Sequence, residues 1–179
     1  MHLTILRALP RERSVLAAAA MLVVSAAFAF FATGARAETA GPCQVQGTIV
    51  EGDFTTIEKD MFAGNNEIIV FTHPIFFTGD LSGVGIATER AVIHSNGTDD
   101  IHDDIAFAGT AKCEDGRVLG AGGLEINFNA LVSFVTNSFT GHFEVTGSSG
   151  GLAGTHGNGT VSGVPGVPGG NGPYDGTLH

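Results

Sequence analysis

Along the chain, apolar and polar residues alternate with a period of two. Phe139, Gly141, Phe143 and Val145 share one face of an extended segment, with Thr140, His142 and Glu144 on the other. Leu124, Ile126, Phe128 and Ala130 oppose Glu125, Asn127 and Asn129 in the same way. Such segments have one buried and one wetter face, as strands of antiparallel sheets do. Further stretches rich in Ile, Val, Thr and Phe predict strands over 45–50, 67–72, 84–94, 105–113, 157–163 and 174–178, beside 124–132 and 139–145. Asn65-Asn66, Ser95-Asn96-Gly97, Glu114-Asp115-Gly116 and Thr146-Gly147-Ser148-Ser149-Gly150 supply turn chemistry between them. Beyond residue 37, no window of ten or more residues keeps helical apolar spacing without a glycine or a β-branched cluster interrupting it. The expected fold is therefore all-β, a closed barrel or a sandwich of about eight short antiparallel strands. Glycine tips the reading toward closure: Gly79, Gly83, Gly85, Gly109, Gly141, Gly157 and Gly159 lie within strand patterns, where they permit the bends and bulges that a closed sheet needs. The run from Val164 to Pro173 is too rich in Pro and Gly for a central strand and is expected to form an exposed loop.

The N-terminus departs from this pattern. Arg7, Arg11 and Arg13 precede an apolar run from Val15 to Ala32, and Ala35-Arg36-Ala37 places small residues where a signal peptidase reads them. The expectation is a cleaved secretory signal over residues 1–37, export by the general secretory route, and one domain over residues 38–179. An uncleaved anchor fits less well, because no cationic stop-transfer cluster follows the run.

Cleavage changes the charge. The whole chain carries 8 Lys and Arg against 18 Asp and Glu, a formal charge of −10. Four cations and only Glu12 leave with the signal, so the mature chain reaches about −13, with Lys59, Arg90, Lys112 and Arg117 remaining. That surface repels phosphate backbones and anionic lipid, which excludes nucleic-acid binding and stable membrane association after cleavage. Cys43 and Cys113 are both exported, and an isolated pair 70 residues apart in an oxidising compartment is expected to form a structural disulfide.

The tract Thr146-Gly147-Ser148-Ser149-Gly150-Gly151-Leu152-Ala153-Gly154-Thr155-His156-Gly157-Asn158-Gly159-Thr160 resembles the glycine-rich hairpin of the allene oxide cyclase-like barrels, a superfamily that includes plant dirigent proteins. Phe77-Thr78-Gly79-Asp80-Leu81-Ser82-Gly83-Val84-Gly85 and Gly172-Pro173-Tyr174-Asp175-Gly176 are similar to an early and a closing strand of bacterial members of unknown function. The resemblance implies an eight-stranded antiparallel closed barrel, often oligomeric, whose interior can hold a small apolar molecule. In the superfamily's enzymes the barrel steers cyclisation or coupling of a reactive substrate. The matched residues shape turns and packing, so no catalytic residue is carried over.

Candidate chemistry concentrates between Ile93 and Asp104. His94, Asp99, Asp100, His102, Asp103 and Asp104 are metal-ligand types, yet their spacing matches neither an EF-hand nor a zinc motif. An acidic, solvated loop between two strands accounts for the same residues and is the favoured reading, and no metal or other cofactor is expected. His73 precedes Pro74 and is expected to be held extended by it. Glu58-Lys59-Asp60 lies near a predicted strand end. Glu89 and Arg90 are adjacent in a strand and so point to opposite faces; Arg90 turned inward toward carboxylates such as Glu58 would anchor an anion, but the pair is expected at the surface. Gly-x-Ser-x-Gly does not occur. Asn96-Gly97-Thr98 and Asn158-Gly159-Thr160 match glycosylation sequons, and both also suit turns. Two functions remain: an exported barrel that binds a small apolar molecule or a partner protein, and a cyclase- or dirigent-like barrel enzyme.

Overall fold

The computed structural model describes residues 41–53, 55–165 and 170–179. The signal sequence expected over residues 1–37, with its cleavage before Glu38, lies outside the described residues. Among the described residues nine strands carry the fold: β1 (Cys43–Glu51), β2 (Thr56–Ala63), β3 (Asn66–Gly79), β4 (Leu81–Ile93), β5 (Thr98–Lys112), β6 (Val118–Ser133), β7 (Ser138–Gly150), β8 (Gly157–Gly163) and β9 (Asn171–Leu178). They form one antiparallel sheet in the order β1-β9-β8-β7-β6-β5-β4-β3-β2, and β1 also pairs with β3. Hydrogen bonding therefore runs in a ring through eight strands, with β2 as an extension. Among the described residues no helix is long and apolar enough to cross a membrane.

The ring closes through a divided partner. β1 pairs with Ile75–Gly79 of β3, and β2 pairs with Asn66–Thr72 of the same strand. Pro74 marks the changeover, where its carbonyl accepts the Gly52 N–H at 2.8 Å. In an antiparallel ladder a residue's N–H and C=O point the same way, so the donor that proline lacks faces the break between β1 and β2 and no ladder bond is lost. Gly83 and Gly109 lie opposite each other on β4 and β5, and a β-carbon on either would strike a carbonyl oxygen of the facing strand. Only glycine fits that close approach.

The alternation predicted over 124–132 and 139–145 is present, and its apolar phase points into the ring. One half of the interior is filled. Ile75, Phe77, Leu81, Ile105, Phe107, Leu124, Ile126, Phe128, Phe143 and Leu178 are buried there, around a space of only about 20 Å³. The Tyr174 hydroxyl closes this half. It accepts the Leu81 N–H at 2.7 Å and lies 3.3 Å from the Thr78 and Leu81 carbonyls, and burial raises its pKa to about 12. The Cys43–Cys113 disulfide is formed, with the α-carbons 5.1 Å apart, as an oxidising environment allows.

Several boundaries differ from expectation. The strand β2 is absent from the predicted set because all of Thr56–Ala63 is exposed, and with neither face buried there is no alternation to read. β7 continues to Gly150, so Thr146–Gly150 is strand, and the turn follows it with Gly154 at φ +86°. Residues 98–104 are the first half of β5 rather than a solvated loop. Asn171–Pro173 belong to β9 and lie opposite Val50–Thr48. The β8–β9 ladder runs to Val161↔Tyr174 and resumes at the bridge Val164↔Asn171, so Pro173 sits in the gap between them.

Candidate functional site

The other half of the ring is not filled. It holds a cavity of about 250 Å³ with apolar walls that include Ile69, Phe71, Ala91, Ile101, Val132 and Phe139. Three carboxylates also line it: Glu51, Glu89 and Asp99. Each reaches this place through strand phase. Glu89 on β4 follows Gly85 and Ala87 on the inner face. Asp99 and Asp103 on β5 share the inner face with Ile105 and Phe107. His73 on β3 stands between Phe71 and Ile75 on the inner face.

Register brings these side chains together. Glu89 lies opposite both Phe71 on β3 and Asp103 on β5. His73 Nε2 is 3.2 Å from Glu89 Oε2, an ion-pair distance. Donor atoms of His73, Glu89 and Asp103 all fall within 4.8 Å of one another. His73 and Asp103 are fully buried, and Glu89 is 4% exposed. Among the described residues neither Asp103 carboxylate oxygen has a hydrogen-bond partner. An ionised carboxylate in that position is strongly disfavoured unless something compensates it.

The acids titrate accordingly. Burial raises the Glu89 pKa, against the lowering effect of its bond with His73. Burial raises Asp103 well above the ordinary carboxylate value, and the neighbouring Glu89 charge adds to this. Burial likewise lifts Asp99 to about 6, with a backbone bond from Val92 opposing and the Asp100 charge assisting. Elsewhere around the cavity, Glu51 accepts the Gly170 N–H.

Asp99 sets a pH dependence. Its folded pKa of about 6 exceeds the ordinary 3.8, so its stabilising contribution is complete below pH 4 and is lost as pH rises through 6. Glu51 and Glu89 share the cavity with it, and His94, with the opposite effect, lies on the outer side. In EDTA-containing buffer, the urea midpoint of the protein is expected to fall between pH 5 and pH 8, and that of Asp99→Asn to fall less. A midpoint that rises over this range, or equal slopes in the two proteins, would refute this.

The six candidate ligands singled out in the sequence do not form one group. His94 Nε2 pairs with Asp100 at 2.8 Å at the surface. His102 bonds Asn129 through Nδ1 at 2.8 Å and lies 3.9 Å from Asp104, again outside. Asp99 and Asp103 alone turn inward. Arg90 is exposed, and Glu58 accepts a bond from the Thr72 hydroxyl on an exposed strand, so no inward anion anchor forms. The pair Glu89-Arg90, expected at the surface, is split: Glu89 is inside. His73 is extended before Pro74 as expected, but its ring belongs to the buried cluster. The sequence signal for these residues was a polar side chain in an otherwise apolar phase: Phe71-x-His73-x-Ile75, and Asp103-x-Ile105-x-Phe107. No model of a known protein family matches the chain, and no curated protein matches it.

Proposed function

We propose that the chain is an exported β-barrel of the allene oxide cyclase-like kind that binds a small, largely apolar molecule in the open half of its ring. The observation that carries this reading is the division of the interior: one half is packed solid, the other keeps a 250 Å³ apolar cavity with carboxylates at its wall. Pockets for small organic ligands have this composition, with apolar walls and a few converging polar groups. The volume suits a molecule on the order of fifteen non-hydrogen atoms. Among the described residues three carboxylates and no cation line the cavity, which selects against anionic ligands and favours a neutral or cationic group at the polar end.

Ala91 tests this, because its methyl group lines the cavity and is 3% exposed. Neutral N-phenyl-1-naphthylamine should bind the protein with a rise in fluorescence, and the anionic anilinonaphthalene sulfonate should bind at least about tenfold more weakly. Ala91→Phe fills the cavity and should weaken the neutral probe on the order of tenfold or more while leaving the circular dichroism unchanged. Equal binding by folded Ala91→Phe would rule the cavity out as the site.

A second reading, a cyclase- or dirigent-like enzyme, is favoured by His73, Glu89 and Asp103 beside the cavity. Glu89 lines the cavity and would face the reactive end of a bound substrate, with His73 and Asp103 buried beside it. Turnover of a reactive epoxide that Glu89→Gln abolishes, with probe binding retained, would favour it over simple binding.

A further inference from the structure

We propose that His73, Glu89 and Asp103 bind one first-row divalent cation of the zinc or manganese type, leaving a coordination position open toward the cavity. Adjacent strands β3, β4 and β5 each supply one ligand, so the site stands on three hydrogen-bonded elements rather than on a loop. The 3.2 Å from His73 Nε2 to Glu89 Oε2 is close to the separation of two ligands held tetrahedrally at about 2.05 Å from a metal, roughly 3.3 Å. All three residues offer a donor atom within the same 4.8 Å.

Asp103 provides the independent sign of a missing partner. It is 0% exposed, and among the described residues neither carboxylate oxygen has a hydrogen-bond partner. Beside Glu89 in a low-dielectric interior its ionised form needs a positive charge, and a divalent ion supplies it to both carboxylates at once. The donor set discriminates between ions. Calcium and magnesium require six or more oxygens or several retained waters, whereas one imidazole and two carboxylates in a confined site suit zinc, iron or manganese. Three protein ligands with a fourth position free is the arrangement of sites that take up a water or a substrate atom. Glu89 lines the cavity, and Glu51 and Asp99 line the approach with negative charge that attracts a cation. This site is separate from the surface pairs His94–Asp100 and His102–Asp104, and it does not depend on the cavity binding an organic ligand.

The test uses protein stripped with chelator, dialysed, and titrated calorimetrically with Zn²⁺ and, separately, Mn²⁺. One ion per chain is expected for at least one of them, with a rise of several degrees in melting temperature in about hundredfold excess. Asp103→Asn and His73→Gln should weaken binding on the order of a hundredfold or more, and a His94→Gln/His102→Gln double variant should bind as the unaltered protein does. Asp103→Asn keeps the shape of the side chain and removes a buried charge, so it should fold. A readout that needs no variant is Co²⁺: it should give the His73 imidazole the large shifts of a directly bound ligand and move the resonances of His94 and His102 far less. Absence of stoichiometric binding by the folded protein, full binding by Asp103→Asn, or loss of binding in the double surface variant would overturn the proposal.

Discussion

Protein in which Cys43 and Cys113 are both replaced by serine is expected to melt about 10–15 °C below the intact chain. The bridge closes a loop across a sequence separation of 70, and in the chain-entropy account such a closure is worth about 4 kcal/mol through the unfolded state. For a domain of this size each kcal/mol corresponds to roughly 3–4 °C. The folded state should change little, because other bonds hold the same corner. The Gln46 N–H donates to Asp80 Oδ2 at 3.0 Å, the Asp80 N–H to the Gln46 carbonyl at 2.9 Å, and the Glu114 N–H to the Gln44 carbonyl at 2.8 Å. Thermal circular dichroism of the serine variant, beside unaltered protein with and without reductant, measures the effect. A melting temperature unchanged by either treatment would show that the bridge restrains nothing that unfolding releases.

Phe107→Ala should cost about 3–5 kcal/mol, the range for an aromatic side chain removed from a core that cannot collapse. Phe107 is 3% exposed, and its ring meets Phe77 edge-to-face at 5.1 Å and 75°, a geometry that adds to plain area burial. The backbone has little room to close on the resulting space, because β4 and β5 already approach so closely at Gly83 and Gly109 that neither can carry a β-carbon. The comparison is Phe134→Ala at the cavity: that ring is 54% exposed, so its loss should change stability by no more than about 0.5 kcal/mol. Urea midpoints of the two variants decide the matter. Equal losses would mean that the filled half of the ring is not where stability resides. The expected inequality has a functional consequence: a solidly packed half allows the other half to keep a cavity and a buried acidic cluster, both of which reduce stability.

The amino-acid sequence by itself determined the strand composition and the phase of the buried faces. Phe139 to Val145 and Leu124 to Ala130 alternate as they fold, because a side chain's face in a strand depends only on the parity of its position. The disulfide was also legible, since two cysteines in a chain with a signal-like N-terminus have one partner each. Ring closure, by contrast, depends on which strands meet. That β1 and β2 share one edge of β3 is a matter of pairing across the sheet, and the fully exposed Thr56–Ala63 offers no pattern that announces it. The candidate site shows the same limit. His73, Glu89 and Asp103 each carried a local sign, a polar residue in an apolar phase, but the three span 31 residues of chain. Proximity among them comes from register: Glu89 faces Phe71 on one side and Asp103 on the other, and His73 lies one inward position along from Phe71. The cluster of His94, Asp99, Asp100, His102, Asp103 and Asp104 shows the converse. Nearness in sequence brought no common site, because alternate residues of a strand point to opposite faces and the sheet itself separates them.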